Sequence, residues 1–118
     1  MLTENDLAGF YGSENFYRHW AKNLVYTDGI KFMADEGGSH WLVDIIASYQ
    51  TEPVIRKNES LQDFQLWELK KVGKGCVVTC REDTGVKPII TQEIEMTDFP
   101  FDIKLYVEGG TLLLPSEH

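Results

Sequence analysis

Residues 27–50, TDGIKFMADEGGSHWLVDIIASYQ, decide how the rest of the chain is read. Thr27 and Asp28 suit a helix start, because both side chains accept backbone N–H bonds and the negative charge favours the positive end of the helix dipole. Ile30, Met33 and Ala34 make one apolar side of the turns that follow. Gly37-Gly38 ends that helix with permissive backbone, and Ser39 begins another. From Trp41 onward, Trp41, Leu42, Ile45, Ile46 and Tyr49 recur at helical spacing and cover roughly 140° of the circumference at ~100° per residue. His40, Asp44 and Ser48 fall on the opposite side. A helix so one-sided must bury its stripe, and the extended second half of the chain is the expected partner.

That second half changes period. Thr51-Glu52-Pro53 closes the helix, since a residue before proline avoids helical angles. Residues 54–63 hold no stable period and are read as a connecting loop. Phe64–Lys71 has strand composition, Gly73-Lys74-Gly75 turns the chain, and Cys76–Glu82 alternates with Cys76, Val78 and Cys80 on one face. Glu82–Gly85 forms a second turn. Ile89–Thr97 then alternates with Ile90, Ile94 and Met96 inward and Glu93 and Glu95 outward. Short glycine-containing turns between such runs describe an antiparallel meander. Beyond Pro100, the run Ile103, Leu105, Val107 supplies a fourth strand and Thr111–Leu114 a short fifth. Residues 1–118 are expected to form one α+β domain, with N-terminal helices packed on one face of a C-terminal antiparallel β-meander of three to five strands.

The first 26 residues are less one-sided. Thr3 with Asp6 gives an N-cap signal ahead of Leu7, Ala8 and Phe10. In the segment from Ser13 to Tyr26, Phe16, Tyr17, Trp20 and Leu24 have roughly helical spacing, while Val25 and Tyr26 suit extended chain equally well.

Composition narrows function more by exclusion than by assignment. The formal net charge is −8 over 118 residues, with 9 acids and 5 bases before Ser60 and 10 acids and 6 bases from it onward. No basic patch emerges, so direct binding to nucleic acid or to an anionic membrane surface is not expected. No apolar run approaches the ~20 residues of a membrane-spanning helix, and the start lacks a signal-peptide pattern, so a cytoplasmic location is expected. Cys76 and Cys80 lie about 13 Å apart on a strand at ~3.3 Å per residue, too far to pair with each other. They are read as reduced residues that pack like small hydrophobes. No cofactor fingerprint or phosphate-cradling loop is present.

The stretches FYGSENFYRHW, LVYTDGIKFMADEGGSHWLVDIIASYQ, FQLWEL, QEIEMTDFPF and LYVEGGTLLLPSEH, taken in order, resemble an uncharacterised bacterial family of small single-domain proteins. The resemblance implies a stand-alone bacterial domain, sometimes met on mobile elements. It brings no catalytic or binding residues with it.

Several groups of residues carry candidate chemistry. His40 and Asp44 are four apart, so their side chains are expected to meet as a local pair, or as half of a metal or acid–base site completed by His19 or Asp35. Tyr17, Arg18, His19 and Trp20 place a cation, an imidazole and two rings together, a set suited to an anionic or aromatic ligand. Tyr26 and Asp28 belong either to a cation-binding or base-presenting loop or to a helix cap. Nine of the fourteen aromatic residues precede residue 50, more ring surface than short helices usually hide. The expected function is a small, soluble, non-catalytic binding or protein-interaction domain. Its partner would be a protein or small molecule, or a second copy in a homo-oligomer. Phe16, Tyr17, Trp20 and Tyr26 should then line a cleft or an interface. The alternatives are a small hydrolase-like or metal-binding protein using His19, His40 and Asp44, and an acidic inhibitor mimicking nucleic acid.

Overall fold

The computed structural model describes residues 2–21 and 23–118. Along the chain run helix α1 (Glu4–Ala8), strands β1 (Phe16–Arg18) and β2 (Val25–Thr27), and helices α2 (Asp28–Gly37), α3 (His40–Tyr49), α4 (Pro53–Arg56) and α5 (Glu59–Asp63). Strands β3 (Phe64–Val72), β4 (Gly75–Arg81), β5 (Ile90–Ile94), β6 (Ile103–Glu108) and β7 (Thr111–Leu113) follow, with a 3-10 turn at Pro115–Glu117. No helix among the described residues is long and apolar enough to cross a membrane.

Local chemistry explains the helix ends. Thr3 and Asp6 form a reciprocal capping box, with N–H···O distances of 3.2 and 2.9 Å. Thr27 caps α2 by accepting the Ile30 N–H, and Gly38 ends it in the left-handed conformation at φ 60°. Ser39 restarts the chain differently from expectation. Its buried hydroxyl donates back to the Met33 carbonyl at 3.1 Å, tying α3 to α2 instead of capping α3. Residues 54–63 are not a loop but most of two one-turn helices. Pro53 sits where its missing N–H costs nothing, Asn58 caps the Leu61 N–H at 3.1 Å, and Ile55 and Leu61 are fully buried. One turn is too short to display a helical period.

The α+β class holds, but the sheet is larger than three to five strands and is not a simple meander. Seven strands lie in the order β1-β2-β7-β6-β3-β4-β5. Consecutive strands pair as β1–β2, β3–β4–β5 and β6–β7, but β6 returns to the far side of β3 and β7 lies between β6 and β2. The segment read at helical spacing, from Ser13 to Tyr26, is the β1–β2 hairpin (with Lys22 outside the described residues). β2 docks parallel to β7 through Val25–Thr111 and Tyr26–Leu112.

The pairing registers put Trp67, Leu69, Cys76, Val78, Cys80, Ile90, Leu105, Val107 and Leu112 on a common face. They share one hydrophobic cluster with Leu7, Ile30, Met33, Leu42, Ile46, Ile55 and Leu61 from the helices. Each such fully buried side chain contributes about 1.5–3 kcal/mol relative to exposure. On α3 the deepest residues are Leu42, Val43, Ile46 and Ala47, whereas Trp41, Ile45 and Tyr49 are only half-buried. The buried flank is thus turned from the stripe read in the sequence.

Met96 departs from its expected inward position and is 75% exposed. At Gly75, an added Cβ would lie 2.0 Å from the Ile94 carbonyl oxygen and 2.7 Å from that of Glu95. β5 ends at Ile94 beside this close approach, Met96 leaves the pleat, and the chain bonds the turn again at Thr97, whose N–H donates to the Lys74 carbonyl at 2.9 Å. The alternation continues in sequence past the point where the strand has stopped.

Candidate functional site

The β1–β2 hairpin is fastened to the start of α2 by one carboxylate. Asp28 accepts the N–H groups of Glu14 and Asn15, each at 3.2 Å, and the Tyr17 hydroxyl at 3.0 Å. Its own N–H donates to Ser13 Oγ at 2.9 Å. Partial desolvation pushes the Asp28 carboxyl up, but the bonds from Asn15, Tyr17, Glu14 and Ser13 outweigh it and hold the pKa below its ordinary value. The same bond raises the Tyr17 phenol, because ionising it would set a phenolate beside a carboxylate. Tyr17 stacks on Tyr26 at 5.6 Å, and the Lys31 ammonium lies 5.6 Å from the Tyr17 ring centre. Asp28 therefore serves as anchor and Thr27 as cap, which is the capping reading of this segment.

From the other side, Glu117 completes the junction. It accepts the Thr27 hydroxyl at 2.6 Å and the Gly29 N–H at 3.3 Å, bringing the end of the described chain onto the start of α2. A Cβ at Gly29 would sit 2.5 Å from Glu117 Oε1 and 2.7 Å from Leu114 Cδ1, so a side chain there would have to displace both. Nothing in the sequence spacing signals this contact, which spans almost ninety residues.

The two histidines divide between different acids. His40 and Asp44 do not pair with each other. His40 Nε2 lies 2.8 Å from Asp35 Oδ1 across the Gly37-Gly38 break, and His19 Nε2 lies 2.7 Å from Asp44 Oδ1. A helical i,i+4 spacing brings two side chains within reach without deciding which neighbour wins. His40 is the second residue after the break, so Asp35 at the end of α2 faces it directly. His19 is buried, and its Nδ1 accepts the Ala21 N–H at 3.1 Å. That bond leaves the proton on Nε2, which donates to Asp44. Asp35 also accepts from the Lys31 ammonium at 2.6 Å; that bond, opposed by desolvation and helped by His40, lowers its pKa. Among the described residues, no three His, Cys, Asp or Glu side chains cluster closely enough to hold a metal.

Cys76 and Cys80 are free and buried. Burial raises both thiols, Cys80 to about 12, so they behave as core residues.

What the hairpin leaves in the open is aromatic and cationic. Tyr11 is 83% exposed, Phe16 60% and Trp20 79%. Trp20 packs one side against the His19 ring at 5.0 Å. Arg18 is exposed and forms no ion pair with a carboxylate among the described residues. The register sends Phe16 and Arg18 to the face opposite Tyr17. The eight residues singled out in the sequence thus separate into a tied set (Tyr17, Tyr26, Asp28), two imidazole–carboxylate contacts (His19–Asp44 and His40 with Asp35) and an open pair (Arg18, Trp20). Sequence reading missed Tyr11 and Glu117, and it missed the half-open row Trp41, Ile45, Tyr49 along α3.

A family profile matches residues 1–118, the whole length of the chain. The chain belongs to DUF6876, a family of unknown function. Neither a curated protein nor a solved structure matches it. Membership in DUF6876 agrees with the resemblance read from the sequence, and like it assigns no activity.

Proposed function

We propose that this DUF6876 chain is a soluble, cytosolic, non-catalytic interaction domain that docks another protein through the outer edge of its β1–β2 hairpin. One observation carries the reading: three large rings, Tyr11, Phe16 and Trp20, stand 60–83% exposed within ten residues of chain, with Arg18 among them. Aromatic and arginine side chains are the residues that most often anchor protein–protein contacts. The anchoring by Asp28 supports it further, because a rigid edge loses less entropy on docking.

The hydrolase-like or metal-binding alternative with His19, His40 and Asp44 is weakened because His40 turns to Asp35, which leaves only His19 beside Asp44. The nucleic-acid mimic has the charge but no row of acids behind it; exposed carboxylates sit on α1, α2, α3, α5 and the β5 region alike. A small-molecule or self-association partner would use the same rings and differs only in what is recovered.

The test is quantitative affinity capture from the source cells with the wild-type chain and with Tyr11→Ser/Phe16→Ser/Trp20→Ser. A discrete partner enriched at least tenfold by wild type and lost with an equally stable variant is the expected result. Identical recoveries with both chains would sink the reading.

A further inference from the structure

At the opposite end of the sheet, β5 has a neighbour on one side only, and α3 runs along it in the reverse direction. Tyr49 Oη donates to the Gln92 side chain at 2.9 Å, while Trp41 and Ile45 share a cleft of about 440 Å³ with Ile94, Met96 and, at its rim, Asp98. The two repeats match. Positions four apart on a helix advance about 6 Å and positions two apart on a strand about 6.6 Å, so Tyr49 and Ile45 keep step with Gln92 and Ile94, and Trp41 reaches the chain just beyond the end of the strand, at Met96. Half-buried α3 side chains thus overhang an unpaired strand edge and leave an apolar trough beside it.

A chain laid against that edge would extend the sheet by one strand. Its side chains opposite Gln92 and Ile94 would enter the trough, and those opposite Thr91 and Glu93 would emerge on the other face. There Glu93 and Glu95 line a second hollow in which Lys74 is the lone base among the lining residues. Around Ile94 the edge therefore offers apolar contact with Trp41 and Ile45 on one face and the negative charge of Glu93, with Glu95 just beyond the strand, on the other.

We propose that β5 receives an extended segment of a partner protein that alternates aliphatic with Lys or Arg residues. A second copy of this chain fits poorly, because two β5 edges side by side would set Glu93 and Glu95 against their own counterparts, and like charges on adjacent strands are destabilising. The whole chain, at −8, adds to that repulsion. This surface is independent of the β1 edge, and neither proposal needs the other.

The test uses the full-length chain and a phage-displayed library of random nine-residue peptides. Selected peptides are expected to alternate aliphatic and basic residues. They should shift the backbone amide signals of residues 90–94 and bind at least tenfold more weakly to Glu93→Lys/Glu95→Lys, with affinity falling as salt is added. Since those two side chains are exposed, the double variant should keep its fold, which its unperturbed remaining amide spectrum would verify. Trp41→Ala serves as a second variant from the apolar wall and should also weaken binding. The proposal is overturned if no peptide is enriched, if the enriched peptides carry no basic residues, if the charge-reversed chain binds them equally, or if wild type forms a dimer through β5 in sedimentation.

Discussion

The two ends of the sheet are finished by opposite means. β1 is three residues long, and Asp28 holds the loop before it through Glu14 and Asn15 and the strand itself through Tyr17. β5 is five residues long, has no comparable anchor, and carries Glu93 with Glu95 just beyond. An unpaired strand edge invites other chains, and proteins limit it by shortening the edge or charging it. Here shortness protects one end and charge the other. A short edge refuses strands in general, whereas a charged one refuses only strands of like sign. That contrast explains why exposed rings are tolerable beside β1, where little backbone is on offer, and why β5 can be selective.

Gly75→Val should have the largest effect, because it strikes the union of β5 with β4. The added side chain meets two backbone oxygens, and we expect a loss of about 3 kcal/mol in denaturant unfolding, at the high end for overpacking. A loss below about 0.5 kcal/mol, the level of a neutral surface change, would mean that β5 is held more loosely than the contrast requires. Cys80, paired with Ile90 of β5, reports on the same union. With its pKa raised from 9.0 to about 12, its thiolate population near pH 8 falls about a thousandfold, so alkylation by iodoacetamide should follow unfolding only. Fast labelling of native protein would show that the β5 end opens.

At the other end, Asp28→Asn should leave the core intact and loosen the hairpin, read as faster hydrogen exchange at Glu14 and Asn15. Acid should do the same to wild type. A carboxyl with its folded pKa depressed contributes its full stabilisation above the unfolded pKa and loses it as pH falls through the folded value, so the change belongs below about pH 4. Unchanged exchange in the variant would show that β1 is held by its pairing with β2 alone. The smallest effect is expected for Phe16→Ala and Trp20→Ala, each within about 0.5 kcal/mol of wild type by thermal or denaturant unfolding. A larger loss would mean that these rings are part of the fold and not a docking edge.

Much of the architecture was legible where local chemistry settles it. Thr27, the Gly37-Gly38 break and Pro53 place α2 and α3, and the alternation around Cys76–Cys80 with glycine turns places β3, β4 and β5. The hairpin was not legible. Its strands are three residues long, too short to separate a period of two from one of 3.6, and β2 takes its place from pairing with β7 far along the chain. For Met96 the pattern was present but the strand was not, since β5 ends at Ile94 and the chain bonds the Lys74 turn again only at Thr97. The site residues were found as types more readily than as pairs. His19, His40, Asp35 and Asp44 were all singled out, yet which carboxylate meets which imidazole depends on the bend at the glycines and on where the hairpin lands.

The parallel seam between β2 and β7 has a temporal meaning. The hairpin is tied to α2 by Asp28, but it finds its partner in the sheet only after Thr111 and Leu112 have been synthesised and released, and Glu117 latches onto Thr27 later still. During translation, β1 and β2 therefore join the sheet only after the strands β3 to β6 have emerged, and a nascent chain arrested just short of β7 should hold those strands paired with the hairpin tied to α2 alone.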